Sequence, residues 1–262
     1  MKRFINDLKR YWNYIVYSTK SELKTEIINS YLGWIWMILE PLCFMLIYTF
    51  IAVIVFKSSV DYFPIFVFIG LAIWNFFNKM VVISVKLVSS NRDIVTKVYV
   101  PKFVLLLTKM GVNLFKMGVS ILMIIIFMIF YKVPISFNIL WSIPIIITSI
   151  IFTFGVCTII MHLGVFIEDL SNLINIFMKL VFYLTGIFFD ISSKINNIYY
   201  KTILLRLNPL ANLLSSLRNV TLYQKGPDIL WLGIWLMIGI VLSIFGIKTI
   251  YKNENTYVKV MK

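Results

Sequence analysis

Long hydrophobic runs alternate with short polar segments along this chain. The six runs are residues 31–56, 63–85, 103–131, 140–167, 173–189 and 230–250. A helix needs about 20 mostly apolar residues to cross the hydrocarbon core of a bilayer. The pattern therefore predicts an all-α integral membrane protein with six transmembrane helices.

Residues 1–29 have a different pattern, in which apolar residues recur on one helical face and basic residues occupy much of the remaining surface. The apolar positions are Phe4, Leu8, Tyr11, Trp12, Ile15, Leu23 and Ile27. This pattern is typical of an amphipathic helix that lies in the cytoplasmic interface of the membrane. A solvated tail is the alternative, which Trp12 and the regular spacing disfavour. Because no apolar core follows Met1, we do not predict a cleavable signal peptide.

The segment between the fifth and sixth runs, residues 190–228, contains two shorter apolar stretches. Asn208 and Pro209 make a typical helix start, because asparagine caps a helix and proline suits its first position. A leucine stripe at helical spacing follows, formed by Leu210, Leu213, Leu214 and Leu217. We predict a re-entrant pair of half-helices in the outer leaflet. A surface amphipathic helix on that leaflet is the open alternative, and either places a gate at the outer side.

Composition supports a membrane protein, and the charge gives it an orientation. Of the 262 residues, 60% are hydrophobic and 14% are charged, with a mean hydropathy of +0.91. Soluble domains are typically about 45–50% apolar. Most of the basic residues behind the net charge of +14 fall on one side of the predicted topology. The positive-inside rule then predicts a multi-pass protein of the cytoplasmic membrane with both termini in the cytoplasm. The charge indicates a membrane surface rather than nucleic acid.

Chemical motifs in the sequence are few. The single histidine, His162, lies in the fourth run and is interpreted as a packed, hydrogen-bonded residue. Glu168 and Asp169 form an adjacent acidic pair, which suits a cytoplasmic turn better than a metal site. The sequence contains no Walker A pattern for ATP binding. We therefore predict no catalytic residue, no metal ligand and no cofactor in this chain.

Charged residues within apolar runs are the next informative group, because each costs free energy in hydrocarbon. Glu40 precedes Pro41 in the first run and either faces a pore or helix interface or reaches water at a helix break. Lys109 and Lys116 are seven residues apart and therefore share one face of the third helix. Snorkelling to the membrane surface is the first interpretation of both lysines. Contact with an anionic substrate group is the alternative, for which Lys116 is the better candidate.

Aromatic residues make up 16% of the chain. Several lie along a candidate substrate path, because aromatic rings can stack on sugar faces. They are Phe44, Tyr48, Trp74, Phe77, Tyr183, Phe188 and Phe189. Packing or lipid contact is the alternative for each of them.

Four short motifs occur in the order and spacing of a known family. The first, residues 31–42, is similar to a Leu-Gly-x-x-Trp-x-x-x-x-Pro start, and Tyr99-Val100-Pro101-Lys102 is similar to a hydrophobic-Pro segment before the third helix. Residues 183–189 resemble the end of the fifth helix, and Asn208-Pro209-Leu210 with Arg218 resembles the segment after it. Together they resemble the ABC-2 type permeases that export polysaccharide, O-antigen or teichoic acid.

The resemblance implies an interface helix at residues 1–29 and a six-span domain at residues 30–262. It implies two permease copies that form a pathway and two separate ABC ATP-binding subunits, which bind ATP and Mg²⁺. Residues 91–100 would be the coupling helix that docks into the ATPase, through Asn91, Arg92, Asp93, Lys97, Tyr99 and Val100. The gate would include Asn208, Pro209 and Arg218. The substrate would be a polyprenyl-diphosphate-linked polysaccharide or teichoic acid polymer.

Three alternative functions remain open at this point. An ABC-2 permease for a drug or another lipid would share the same scaffold. A membrane-embedded transferase would need paired carboxylates or a His-Asp set, to which only Glu168 and Asp169 come close. A scaffolding membrane protein fits the hydropathy but leaves the order of the motifs unexplained.

Overall fold

The computed structural model describes residues 2–28, 33, 35–55, 60–194 and 197–260, which are almost entirely helical and contain no strand. A π-helical turn, Ile51–Val55, extends α2, and a 3₁₀ turn, Phe137–Trp141, precedes α6. The helices are α1 (Lys2–Ile28), α2 (Ile35–Phe50), α3 (Phe63–Ser90), α4 (Arg92–Lys97), α5 (Lys102–Phe130), α6 (Ser142–Phe166), α7 (Leu170–Leu184), α8 (Ile191–Lys194), α9 (Ile198–Leu207), α10 (Pro209–Thr221) and α11 (Ile229–Val260).

Five stretches of the described chain are long and apolar enough to cross a membrane. They are Ile35–Ile54, Phe63–Ser90, Lys102–Phe130, Phe137–Phe166 and Ile229–Tyr257. The sixth predicted span, residues 173–189, corresponds to α7, an apolar helix of 15 residues. At 1.5 Å per residue α7 is about 22 Å long, whereas a hydrocarbon core is about 30 Å thick. Five membrane-length helices are thus confirmed, and the sixth span stays a prediction.

Several predicted boundaries shift in the structure. α3 continues to Ser90 and α11 to Val260, because polar last turns extend both helices beyond their apolar runs. The predicted helix start after Asn208 is confirmed, since α10 begins at Pro209. The predicted N-terminal helix corresponds to α1, Lys2–Ile28, and its position in the membrane interface stays a prediction. Residues 31, 32 and 34, which begin the first predicted run, lie outside the described residues.

α3 forms the centre of the bundle. Ile65, Met80 and Leu87, from its beginning, middle and end, are each at most 1% exposed. It packs against α2, α5, α6, α7 and α10, while α1 lies on α5 and α11 lies on α6. The outer helices expose broad apolar faces, such as Ile129 of α5 and Val241 of α11. Contiguous apolar surface of this kind is expected of a protein solvated by lipid.

The bundle has two distinct ends. At one end, here called the α4 end, Arg3 at the beginning of α1 meets Tyr99, which follows α4, and Glu254 near the end of α11. The end of α6 lies there too, since His162 is bonded to Tyr257 of α11. The opposite end, here called the α10 end, holds α10 beside the beginnings of α3 and α6. Both ends of the described chain therefore lie on the same side as α4.

Glycines allow α6 and α11 to approach closely. A Cβ atom on Gly155 of α6 would lie 2.8 Å from the Gly239 carbonyl oxygen and 2.9 Å from the Ser243 nitrogen of α11. Ser243 also donates across the interface to the Ile151 carbonyl, at 3.3 Å. Membrane helices commonly associate through such small residues, because van der Waals packing replaces the hydrophobic driving force.

Replacing Gly155 by leucine should separate α6 from α11, because the backbone of α11 leaves no space for the side chain. We expect the melting temperature of the detergent-purified protein to fall by several degrees. Gly233→Leu is the matched control, since a Cβ atom at Gly233 of α11 has nothing within 4 Å. Thermal unfolding followed by tryptophan fluorescence compares the two variants. Equal melting temperatures would contradict the close α6–α11 contact.

Candidate functional site

A groove of about 690 Å³ lies between α3 and α7. Its α3 side carries Trp74, Asn78 and Lys79, and its α7 side carries Asn175, Met178, Lys179, Phe182 and Tyr183. Asparagine and lysine are expensive within membrane helices and generally mark a function or a polar partner. Trp74 and Tyr183 belong to the predicted substrate path. The structure therefore brings part of that path together with amide and ammonium groups.

A chain of aromatic contacts connects this groove with α2. Tyr48 of α2 lies 3.9 Å from Phe188, measured between ring centroids, and Phe44 lies 6.2 Å from Tyr48. Phe182 joins Phe188 to Trp74, with centroid distances of 5.1 Å to each. Four predicted path residues are therefore connected through Phe182, which was not predicted. Its position next to Tyr183 in the fifth run was the available signal.

Two residues of the predicted path lie elsewhere. Phe77 is 7% exposed and stacks at 6.0 Å on Phe152 of α6, so it belongs to the packing between α3 and α6. Phe189 is half-buried in the segment that follows α7. Their contact with a substrate stays a prediction.

Three lysines within the apolar runs have carboxylate partners. Lys109 and Lys116 of α5 lie 2.7 Å from Glu22 and Glu26 of α1, and Lys79 of α3 lies 3.3 Å from Glu40 of α2. An opposite charge lowers the cost of placing a lysine in a membrane helix. These pairs hold α1 against α5 and α2 against α3. Substrate contact by Lys109 or Lys116 stays a prediction, and it would compete with α1 carboxylates.

The predicted coupling segment, residues 91–100, contains the short helix α4. Asn91 precedes it, and Arg92, Asp93 and Lys97 are exposed on it. Three apolar or aromatic side chains are exposed as well: Ile94 (37%), Val98 (58%) and Tyr99 (56%). Val95 and Val100 are buried and anchor the segment on the bundle. Val100, predicted to contact the ATPase, is therefore placed as an anchor, so any such role would act through packing.

Tyr99 ties this segment to both chain ends. Its hydroxyl donates to Glu254 at 3.2 Å and accepts from Arg3 at 2.5 Å, and Arg3 also bonds Glu254 at 2.6 Å. Partial burial and the neighbouring Glu254 carboxylate raise the pKa of Tyr99, so the hydroxyl stays protonated at neutral pH. The hydrogen bond with Glu254 raises the pKa of Arg3. A displacement of the α4 segment would therefore act directly on α1 and α11.

The predicted gate residues fasten α10 to the end of α7. The Asn208 carbonyl oxygen Oδ1 accepts from the Leu210 and Ala211 backbone N–H groups, and its Nδ2 donates to the Leu184 carbonyl at 3.3 Å. Pro209 occupies the first turn of α10. The guanidinium of Arg218, 5% exposed, donates to the carbonyls of Phe66, Gly186 and Ile187 at 2.8–3.1 Å. Arg218 thus joins α10, the beginning of α3 and the segment after α7.

The chain is similar to known proteins over most of its length, although no protein-family model matches it. It is 28% identical over 229 residues to the O-antigen export system permease protein RfbA of Myxococcus xanthus, covering 87% of both chains. Two proteins of the same name from Klebsiella pneumoniae are 28% and 29% identical over 249 residues, covering 94% of each chain. The chain is a homologue of O-antigen export permeases.

The similarity to these export permeases extends over nearly the whole chain rather than one segment. Together with the five membrane-length helices, it indicates a multi-pass membrane protein. The names of these relatives agree with the family that the four sequence motifs resemble. In the structure, the motif at residues 99–102 follows α4, and the motif at residues 208–210 begins α10.

Proposed function

We propose that this chain is the membrane-spanning permease subunit of an ATP-driven exporter that moves a polysaccharide across the cytoplasmic membrane. The observation that carries the proposal is its similarity, over 87–94% of its length, to three O-antigen export permeases. The chain itself performs no ATP hydrolysis in this proposal, and a separate ABC ATP-binding subunit supplies the energy.

The ATPase docks at the α4 end, which we assign to the cytoplasm. Exposed basic residues of α1, α4 and α11 are concentrated there, among them Lys9, Arg10, Arg92, Lys97 and Lys252. The positive-inside rule favours the cytoplasm for such an end. Ile94 and Val98 offer apolar contacts to the partner, and Tyr99 relays its movement to α1 and α11.

Two copies of the chain form the pathway in this proposal, with α2 and α7 nearest the second copy. Closed two-fold assemblies are the commonest oligomers. α7 supports this arrangement because it leaves one face exposed, including Leu173, Ile176, Phe177 and Leu180. The α3–α7 groove then adjoins the pathway, so that α7 serves as the sixth span of the subunit.

The substrate is a polyprenyl-diphosphate-linked polysaccharide or a teichoic acid polymer. The aromatic rings and amides of the α3–α7 groove suit sugar rings and hydroxyls. Basic residues at the α4 end suit a diphosphate. The exposed apolar surface of the outer helices α5 and α11 suits a polyprenyl chain that travels beside the protein.

Affinity purification from membranes in mild detergent tests the proposal. We expect a separate ATPase chain to co-purify, with about two copies of each subunit. Deletion of the protein should cause a lipid-linked polymer to accumulate on the cytoplasmic side. Accumulation of a drug or a non-glycan lipid instead would favour the alternative ABC-2 substrate class. A lone chain that transfers sugar in vitro would contradict the transport function.

A further inference from the structure

The α10 end contains a polar pocket that the transport pathway proposed above does not use. It lies between α9, α10 and the segment before α11, and has a volume of about 350 Å³. Small-molecule sites are typically about 300–1,000 Å³. A second pocket of about 430 Å³ adjoins it and shares Ser192, Leu205, Ser215 and Asn219. The first is here called the α9–α10 pocket.

Asn212 is the unusual residue of this pocket. Its side chain lines the pocket and is 4% exposed, yet its Oδ1 atom has no hydrogen-bond partner among the described residues. Buried polar atoms in proteins are nearly always hydrogen-bonded, because an unpaired buried acceptor costs roughly 1–3 kcal/mol. Asn208, the residue that caps α10, uses its amide fully in the cap and in a bond to the end of α7. Asn212 therefore contributes to the pocket wall an amide whose hydrogen-bonding capacity the described protein does not fully use.

The remaining lining combines hydroxyl groups with charges of both signs. Thr202, Ser215 and Ser216 supply hydroxyls. Arg206 and Asp228 supply a positive and a negative charge. The one lysine, Lys201, donates to the Ser192 carbonyl at 2.7 Å, and Arg206 lies over the Trp231 ring at 5.8 Å. Because Lys201 is bonded to a backbone carbonyl and the Asp228 carboxylate balances the charge of Arg206, the pocket is poorly suited to a phosphate. It suits a neutral ligand with many hydroxyl groups.

We propose that the α9–α10 pocket binds a sugar residue of the exported polymer at the outer side of the membrane, with the Asn212 amide as its central hydrogen-bonding group. This inference rests on the proposed function, because that function places the α10 end outside and makes a glycan the transported material. A bound sugar there joins α9 and α10. The leading part of the polymer would thereby be retained at the exit between transport steps.

Saturation-transfer NMR on the purified complex in nanodiscs tests the pocket. The probes are the methyl glycosides of glucose, galactose, mannose, rhamnose and N-acetylglucosamine, and an acid hydrolysate of the surface polysaccharide of the source cell. We expect transfer to at least one probe, reduced roughly tenfold by Asn212→Leu because the amide in the pocket wall is lost. Thr202→Val, at the half-buried rim, should weaken transfer without disturbing the fold. Asn13→Leu, exposed on α1 at the other end, should leave it unchanged.

The outcomes separate this inference from the transport function. If the ATPase co-purifies but no probe receives saturation transfer, the sugar pocket is wrong and the transport function stands. Equal saturation transfer from the wild-type, Asn212→Leu and Thr202→Val proteins to the probe would also contradict the sugar pocket. Displacement of the sugar by glycerol 3-phosphate at equal concentration would assign the pocket to phosphate and also overturn it. If no ATPase co-purifies, the transport function itself fails.

Discussion

Replacing Arg218 by methionine is expected to lower the melting temperature of the protein by about 6–12 °C. Methionine fills most of the same space but donates no hydrogen bond. The carbonyls of Phe66, Gly186 and Ile187 then lose their buried donor, and each such loss costs roughly 1–3 kcal/mol. The guanidinium also lies 3.3 Å from the centre of the Phe66 ring, and the variant loses this cation–π contact.

The melting temperature is measured by heating the detergent-purified protein and recording the loss of its folded peak in size-exclusion chromatography. Arg218→Lys should be intermediate, because an ammonium keeps the charge but cannot serve all three carbonyls in the fork geometry of a guanidinium. Arg206→Met is the matched control, since Arg206 is exposed on α9 and contacts only the Trp231 ring through its guanidinium among the described interactions. A melting temperature of Arg218→Met equal to that of the control would contradict the role of Arg218 as a fastening residue.

Arg218 also shows where sequence reasoning ends. The motif after the fifth run pointed to Asn208, Pro209 and Arg218 as a group, and the helix start at Asn208 is confirmed. The three carbonyl partners of Arg218 come from two distant segments, residues 66 and 186–187. Such partners depend on how helices dock, and the chain pattern contains no information on that register.

The lysines of α5 illustrate the same limit. Their spacing of seven placed Lys109 and Lys116 on one face, and both indeed reach α1. Their partners, Glu22 and Glu26, are four residues apart and share a face of α1. Each face could be derived from helical periodicity alone. The pairing of the two faces could not, because either helix has several neighbours in the bundle.

Hydropathy predicted the membrane-length helices well and the shorter elements less well. Five of the six runs have helices of sufficient length, since a long apolar run has no other stable conformation in lipid. α7 ends at Leu184 because Gly186 adopts a positive φ of 68° and turns the chain. Apolar residues continue to Phe189, so the run hid this turn. The α3–α7 groove, which depends on the facing of two helices, likewise required the structure.

Replacing Val98 by glutamate is expected to reduce co-purification of the ATPase by at least about tenfold. Val98 is 58% exposed directly after α4, so the variant should fold normally. When the partner covers this surface, the carboxylate loses its water without gaining a cation, which costs more than the roughly 1.4 kcal/mol of a tenfold change. Ile94→Glu, on the same exposed surface, should act in the same direction.

Two comparisons make this result specific to the coupling segment. Ile198→Glu places the same charge on an exposed residue at the α10 end, 80% exposed, and should leave ATPase binding unchanged. Val100→Glu changes a buried anchor and should lower the melting temperature, whereas Val98→Glu should not. Co-purification measured by gel densitometry and thermal unfolding of the same samples separates docking from folding. If Val98→Glu retains the ATPase while Ile198→Glu loses it, the partner docks at the α10 end and the assigned orientation of the bundle is reversed.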